Sequence, residues 1–402
     1  MSDATYTTVG IVEESTYGTT PASALQLINV SSVDLNRDLN VSRPNILTGD
    51  RRRHANQILQ KSGALNLPAP LQYENFLLLH EGVMMNDRGA AVTVTASTIS
   101  FDSATETIAD SGSGLGSFAV GDWVYVSGSA NSGNNGWKGP VLTAAAGALT
   151  FPNGQVVTTE VAGSSITIKT RRLLDGSAST IKSYSAEYQI TDLTTEFRSG
   201  TGYRVASWEC KWSQGSWAEE RVSLMGQVPG MANATIGTGA ATAAATAPFM
   251  NAVDDFQTIL FGSDSTSSTF SAIATDLTLT ISNTLNPVYG LGNVGPSNYS
   301  VGPQDISLAL TLYYDDNART IMDLAEAHTT IWIGFDVVDS AGNRMAFSLP
   351  SMKPDDGDIQ IGEAGNQITL PLQFSGHDPA RDSGSLSTSI PYQSAFFYVP
   401  VA

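Results

Sequence analysis

Along most of its length this chain alternates apolar and polar residues with a period of two, between clusters of Gly, Asn, Asp and Ser. Successive side chains of a strand point to opposite faces, so this pattern predicts sheets with one dry face and one wet face. From Val33 to Val41 the apolar set is Val33, Leu35, Leu39 and Val41, and the polar set is Asp34, Asn36, Asp38 and Asn40. Asp276–Ser282 repeats the pattern with Leu277, Leu279 and Ile281, and Asp305–Leu312 with Ile306, Leu308, Leu310 and Leu312. Only two stretches carry a helical stripe. Residues 71–84 align Tyr73, Phe76, Leu77, His80, Val83 and Met84, behind the breakers Pro68 and Pro70. Residues 316–327 align Ala318, Ile321, Met322 and Ala325, with Asp315 or Asp316 as N-cap.

These elements occur twice in the same order once a Gly/Ser/Thr-rich stretch is set aside. Each half reads strand, long loop, return strand, helix and three strands. The first runs from Asp34 through Leu65 and Leu67, the helix, Tyr184–Ile190, Trp208–Trp212, and Val222 with Leu224. The second runs from Asp276 through Leu312, the helix, Ile331–Val337, Met345–Leu349 and Ile368–Phe374. The expected division is residues 1–89 with 180–228 as one discontinuous fold and 249–402 as another. Residues 90–179 form an inserted small β-domain, and 229–248, small and uncharged, form a linker or arm.

A net charge of −18, with Ser and Thr together outnumbering the charged residues, excludes binding of nucleic acid by phosphate neutralisation. At 41% hydrophobic the chain is not an acidic disordered protein. The single cysteine, Cys210, excludes an intramolecular disulfide framework and a Cys-based zinc site; between Trp208 and Trp212 on a dry face it reads as a buried small hydrophobe. No apolar run approaches a membrane span of about 20 residues, so no membrane binding is evident. The N-terminus lacks a basic and apolar leader, so synthesis in the cytoplasm is expected.

Catalytic and metal constellations are absent from the pattern. The four histidines lack metal spacing, with His80 expected in a core and His328 beside a helix end. Asp355-Asp-Gly-Asp358 lacks the glutamate of a calcium loop and reads as a turn. No nucleophile elbow or P-loop is present. Neither a catalytic residue, a metal nor a cofactor is expected.

The stretch Val9-Gly-Ile-Val-Glu-Glu-Ser-Thr-Tyr-Gly-Thr-Thr-Pro21 resembles the opening of major tail tube proteins of long-tailed bacteriophages. The hairpin from Phe335 to Pro350, with Asp339-Ser-Ala-Gly-Asn343, and the strand Gln367–Phe374 are similar to the last hairpin and strand of that family. The Gly121-Asp-Trp-Val-Tyr-Val-Ser-Gly128 run resembles a small domain inserted in some members. The resemblance implies a small β-sandwich or barrel with one flanking helix, here in two tandem copies, that assembles into stacked rings around a DNA passage. It implies a virion location in the phage tail. It also implies contacts with tape measure, terminator and distal tail proteins, and transient, non-specific passage of DNA. Members with one copy make six-fold rings, so two copies predict a trimeric, pseudo-hexameric ring.

A conduit must not hold its cargo, and a lumen of hydroxyls, amides and carboxylates does not grip phosphate. The candidate lumen residues are Asp34, Asn36, Asp38, Asn40, Asp276, Thr278, Thr280, Ser282, Asp305, Ser307 and Thr311. On an ordinary sandwich the same faces would meet bulk solvent. The long loops 42–56 and 286–303 are candidate stacking elements. Arg51, Arg52 and Arg53 are candidate subunit or ring contacts, or a solvated or DNA-facing basic loop. Tyr17 and Gly18 of the opening motif are candidate contacts as well. The N-terminal arm and the apolar stretch 394–401 either dock on neighbours or close the chain's own sheet. An adhesin-like, carbohydrate-binding virion protein is the alternative. It would need clustered exposed aromatics and no duplication. A β-rich hydrolase would need a site that the sequence does not offer.

Overall fold

The computed structural model describes residues 3–46, 51–156, 158–176, 181–193, 196–263, 272–363, 365–381 and 389–400. Within them the protein is mainly β, in several sheets and without a closed barrel. The two α-helices are Leu77–Met84 and Asp316–Glu326.

One ladder order occurs twice. In the first half, Asp34–Ser42 pairs Gln57–Pro70, which pairs Glu219–Gly226, which pairs the C-terminal part of the 17-residue strand Phe197–Ser213. The N-terminal part of that long strand instead pairs Tyr184–Ile190, followed outward by Thr7–Glu13. On its other side lies Gly230–Ala232. In the second half, Ala274–Val288 pairs Asn298–Tyr313, then Thr369–Gly376, then the C-terminal end of Arg344–Gly357. The N-terminal part of Arg344–Gly357 pairs Ile331–Val338, followed by Phe256–Gly262, and on its other side Ala395–Val399. Each long strand therefore serves two sheets, and each crosses between them at an irregularity, after Val205 in one and after Pro354 in the other. A bulge bends and twists a strand, which is how a strand turns a sandwich corner.

Following the paired residues fixes the equivalence. Leu35 faces Leu65, which faces Leu224, which faces Val205. Leu279 faces Leu308, which faces Phe374, which faces Pro354. Beyond the two bulges, Trp208 faces Val222 as Gly357 faces Leu372, and Lys211 faces Glu219 as Gln360 faces Thr369. We call these two ladder sets the first and second repeats.

The repeats are joined edge to edge. Ser207–Ser213 pairs residue by residue with Asp276–Ser282, so eight strands form one continuous sheet from Asp34–Ser42 to the end of Arg344–Gly357. Its dry face, the helices and the second sheets enclose a single hydrophobic core that runs through both repeats.

The region 92–174 contributes two four-stranded sheets with their own core around Phe101, Val124, Leu149 and Ile166. It is also bound to the second repeat. Arg172–Leu174 pairs Ala395–Val399, and Trp123 and Trp137 pack with Trp332, Tyr392 and Phe397. Gly334 makes this approach possible, because a Cβ there would lie 2.1 Å from Trp123 Cζ2.

Several expectations meet a different local structure. The first helix starts at Leu77 rather than near residue 71, after a turn containing Glu74 at φ +61°. Asp315 caps the second helix, its carboxylate accepting from Ala318 N at 2.8 Å. Residues 229–248 do not hang free. Asn29 and Gln72 donate to the carbonyl of Ala245, and Thr242 exchanges hydrogen bonds with Leu25 and Leu27. Asp355-Asp-Gly-Asp358 is no turn, because it lies at the end of the long second-repeat strand, where the bulge re-aims the chain. The C-terminal stretch closes its own sheet as Ala395–Val399, and Thr7–Glu13 does the same at the N-terminus. Residues 47–50 of the first long loop, the segment 177–180 around the end of the inserted region, and residues 401–402 lie outside the described residues.

Candidate assembly surface

The eight-stranded sheet brings the eleven candidate lumen residues onto one face. Leu35, Leu65, Leu224, Trp208, Ile281 and Leu308 mark the dry side, and all are buried. The residues between them point the other way. Asp34, Asn36, Asp38 and Asn40 are exposed on the outermost strand. Thr278, Thr280 and Ser282 are half-buried near the middle, beside exposed Asp276, Asp305 and Ser307 and half-buried Thr311. Ser282 faces Asp305, Thr280 faces Ser307 and Asp276 faces Thr311 across one ladder, so the two central strands make a continuous polar strip.

The strip also contains charges missing from the candidate set. Glu209 and Lys211 alternate with Trp208, Cys210 and Trp212, and they face Arg221 and Glu219 on the next strand. The same alternation that marks Trp208 and Trp212 as core places Glu209 and Lys211 on the wet face, so the signal was available in the sequence. Their neighbours across the joint are Thr280 and Thr278. Lys211 and Arg221 thus each have a carboxylate opposite them on the neighbouring strand, an arrangement that offsets their charge.

Tyr17 and Gly18 serve a turn inside the chain. Glu14, buried, accepts from the N–H of Gly18 at 2.8 Å, of Gly202 at 2.8 Å, and from the hydroxyls of Ser183 and Ser185. Gly18 sits at φ +72°, a conformation that favours glycine. Tyr17 lies under the Arg204 guanidinium at 5.1 Å, and burial pushes its hydroxyl up to about 12 against the pull of Arg204. The Asp339 hairpin is closed in the same way, its carboxylate accepting from the N–H of Ala341 and Asn343 and from the Asn343 amide.

Arg51, Arg52 and Arg53 are exposed at the end of the first long loop. The equivalent second loop folds back on the first repeat. Val294 O accepts from Lys61 N at 2.8 Å, Tyr299 is buried with its hydroxyl donating to Gly226 O, and Arg204 donates to Tyr299 O.

The buried ionisable groups serve the core. His80 lies between Tyr398 and Glu220, at 3.0 and 3.1 Å, all three buried. Cys210 is buried and free, and burial holds its thiol well above the usual range. Lys182, its side chain 2% exposed, reaches Glu13, Glu81 and Asp87. His328 ends the second helix at φ +50°, its N–H donating to Ala325 O. Among the described residues no group of His, Cys, Asp or Glu has the arrangement of a metal site.

A family model described as phage tail tube protein matches residues 7–376. No curated protein matches the chain.

Proposed function

The chain belongs to the phage tail tube protein family, and from that premise we propose how it builds the tube. Three copies close a ring in which six repeats stand around a bore, and rings stack into a tube that conducts DNA. The observation that carries this reading is the eight-stranded sheet. It is polar on one face, packed on the other and, among the described residues, open at both ends. Strands that end in open edges invite further pairing, and closing them into a barrel removes those edges. Identical rings that stack head to tail grow into a filament.

In this reading the polar strip from Asp34 to Thr311 faces the bore. Residues 1–89 with 180–228 form one tube fold and 249–402 the other. Residues 90–179 stand on the tube exterior. The second long loop, 286–303, already bridges from one repeat to the next within the chain. Its equivalent, the loop with Arg51, Arg52 and Arg53, makes the corresponding contact to a neighbouring chain. Assembly takes place in the host cytoplasm, and tape measure, terminator and distal tail proteins meet the tube inside and at its ends.

Electron microscopy of the purified protein, followed by native mass measurement of the smallest ring, tests the reading. Hollow rings or tubes with a three-chain repeat support it. A six-chain ring would refute the pseudo-hexamer, and a persistent monomer would refute the assembly.

A further inference from the structure

Among the described residues there is one joint between a first-repeat edge and a second-repeat edge, and the two counterpart edges are left open. Ser207–Ser213 is covered by Asp276–Ser282. By the equivalence above, the counterpart of Ser207–Ser213 is the stretch from Asp356 to Gly362, and the counterpart of Asp276–Ser282 is the stretch from Ser32 to Asp38. Among the described residues, Asp34–Ser42 pairs only Gln57–Pro70. The end of Arg344–Gly357 from Pro354 onward pairs only Thr369–Gly376. The other differences lie outside the eight-stranded sheet, where Thr7–Glu13 also pairs Gln26–Ile28 and Ala395–Val399 also pairs Arg172–Leu174, each without a match in the other repeat among the described residues.

We propose that these two edges are partners between two copies of this chain, in the register of the internal joint. Residues 32–38 of one copy add antiparallel to residues 356–362 of the next. Trp212 facing Leu277 becomes Ile361 facing Val33. Cys210 facing Leu279 becomes Ile359 facing Leu35, and Glu209 facing Thr280 becomes Asp358 facing Asn36. The proposal rests on the reading that copies of this chain assemble, and it adds which strands meet and at which residues.

Side-chain chemistry agrees with this register. A one-residue slip would turn every side chain to the wrong face. In the register given, Ile359 and Ile361 share the dry face with Leu35 and Val33, continuing the core. Ile361 is 77% exposed in the single chain, whereas its counterpart Trp212 is 3% exposed. An apolar residue left in water on an unpaired edge is what a second copy would cover. One pair opposes association: Asp38 meets Asp356, and like charges directly opposite destabilise a ladder. Salt should therefore promote this contact.

Engineered disulfides in the full-length chain test the register. Facing residues of an antiparallel ladder lie about 4.5–5.5 Å apart between Cα atoms, within disulfide reach, and a three-residue offset adds about 10 Å. The double variants Val33→Cys/Ile361→Cys and Asn36→Cys/Asp358→Cys should each form chain-to-chain disulfides on oxidation, seen as ladders on non-reducing gels. The mismatched Val33→Cys/Asp358→Cys should not. Buried Cys210 stays silent in all three. Asp356→Asn should associate at lower salt than the unchanged protein, and Ile361→Asp should stay monomeric with an unchanged circular dichroism spectrum and melting temperature. If rings or tubes form but the matched pairs fail to link, or the mismatched pair links instead, this proposal falls and the tube reading stands. If the unchanged protein never associates, both fall.

Discussion

Trp208 and Ile281 face each other across the ladder that joins the two repeats, and neither is open to solvent. The Trp208 ring also lies 6.1 Å from Phe347 and 5.0 Å from Phe396, both on strands of the second repeat, and its indole N–H donates to Glu220. One side chain thus ties a strand of the first repeat to the packing of the second. Trp208→Ala should cost about 3–5 kcal/mol. Denaturation in urea should show one transition moved as a whole. Two transitions with only one displaced would mean that the repeats fold independently.

Gly334 is the seat of Trp123. Gly334→Ala should loosen the region 92–174 from the second repeat at a cost of about 1–3 kcal/mol, the usual range for overpacking. Limited proteolysis should then cut near the ends of that region while the eight-stranded sheet stays protected. Deleting residues 90–179 should be more damaging, because it uncovers Trp332, Tyr392 and Phe397 and removes the strand beside Ala395–Val399.

The same contact should weaken as pH rises. Burial pushes the carboxyls of Asp122 up to about 6 and of Asp175 and Asp336 up to about 7. A group raised in the folded state contributes stability that is complete below its unfolded pKa of about 4 and is lost as pH climbs through the folded value. These three groups therefore favour the docked state at pH 4 over pH 8. Asp175 accepts from Gln393 N, which an asparagine oxygen can also do. Asp175→Asn should flatten the pH dependence of melting between pH 4 and 7 without lowering stability at pH 8.

Lys182 links the strand of Glu13 to Glu81 on the first helix and to Asp87 beyond it. Burial disfavours its charge, but the hydrogen bonds to Asp87 and Glu13 outweigh this and hold the amine above its ordinary range. Lys182→Met should cost about 3 kcal/mol, the low end for breaking a buried pair, because Asp87 and Glu13 are partly exposed and can rehydrate.

Reversing Arg51, Arg52 and Arg53 to Glu should leave the monomer's melting temperature unchanged within about 0.5 kcal/mol, since all three are exposed. Tube formation, followed by light scattering and microscopy, should drop. Tubes of normal length from that variant would remove these residues from the assembly contact.

The strands and the duplication were legible because both leave a residue-level trace. Alternation with a period of two marks strands, and the helix at the same place in each half marks the copy. The pairing between copies was less legible. The sequence sets the strand at Asp34 against the strand at Asp276, whereas the ladders place Leu35 at the position of Leu279, so that Asp34 matches Thr278. A slip of two residues keeps every side chain on its face, so no pattern of apolar and polar residues detects it. The role of Glu14 was hidden for a different reason. Its four donors come from residues as distant as Gly202, which only the folded chain brings together.

What the sequence determined by itself is the set of faces. Each strand's dry and wet sides follow from side-chain type, because apolar surface leaves water wherever the backbone runs, and this sufficed to name the polar strip from Asp34 to Thr311. Tertiary structure decided which edges meet. The joint of Ser207–Ser213 with Asp276–Ser282 is made by backbone hydrogen bonds, which any residue but proline can supply. Edge pairing is therefore nearly silent in the sequence, and the closed joint and the two open edges became visible only in the folded chain.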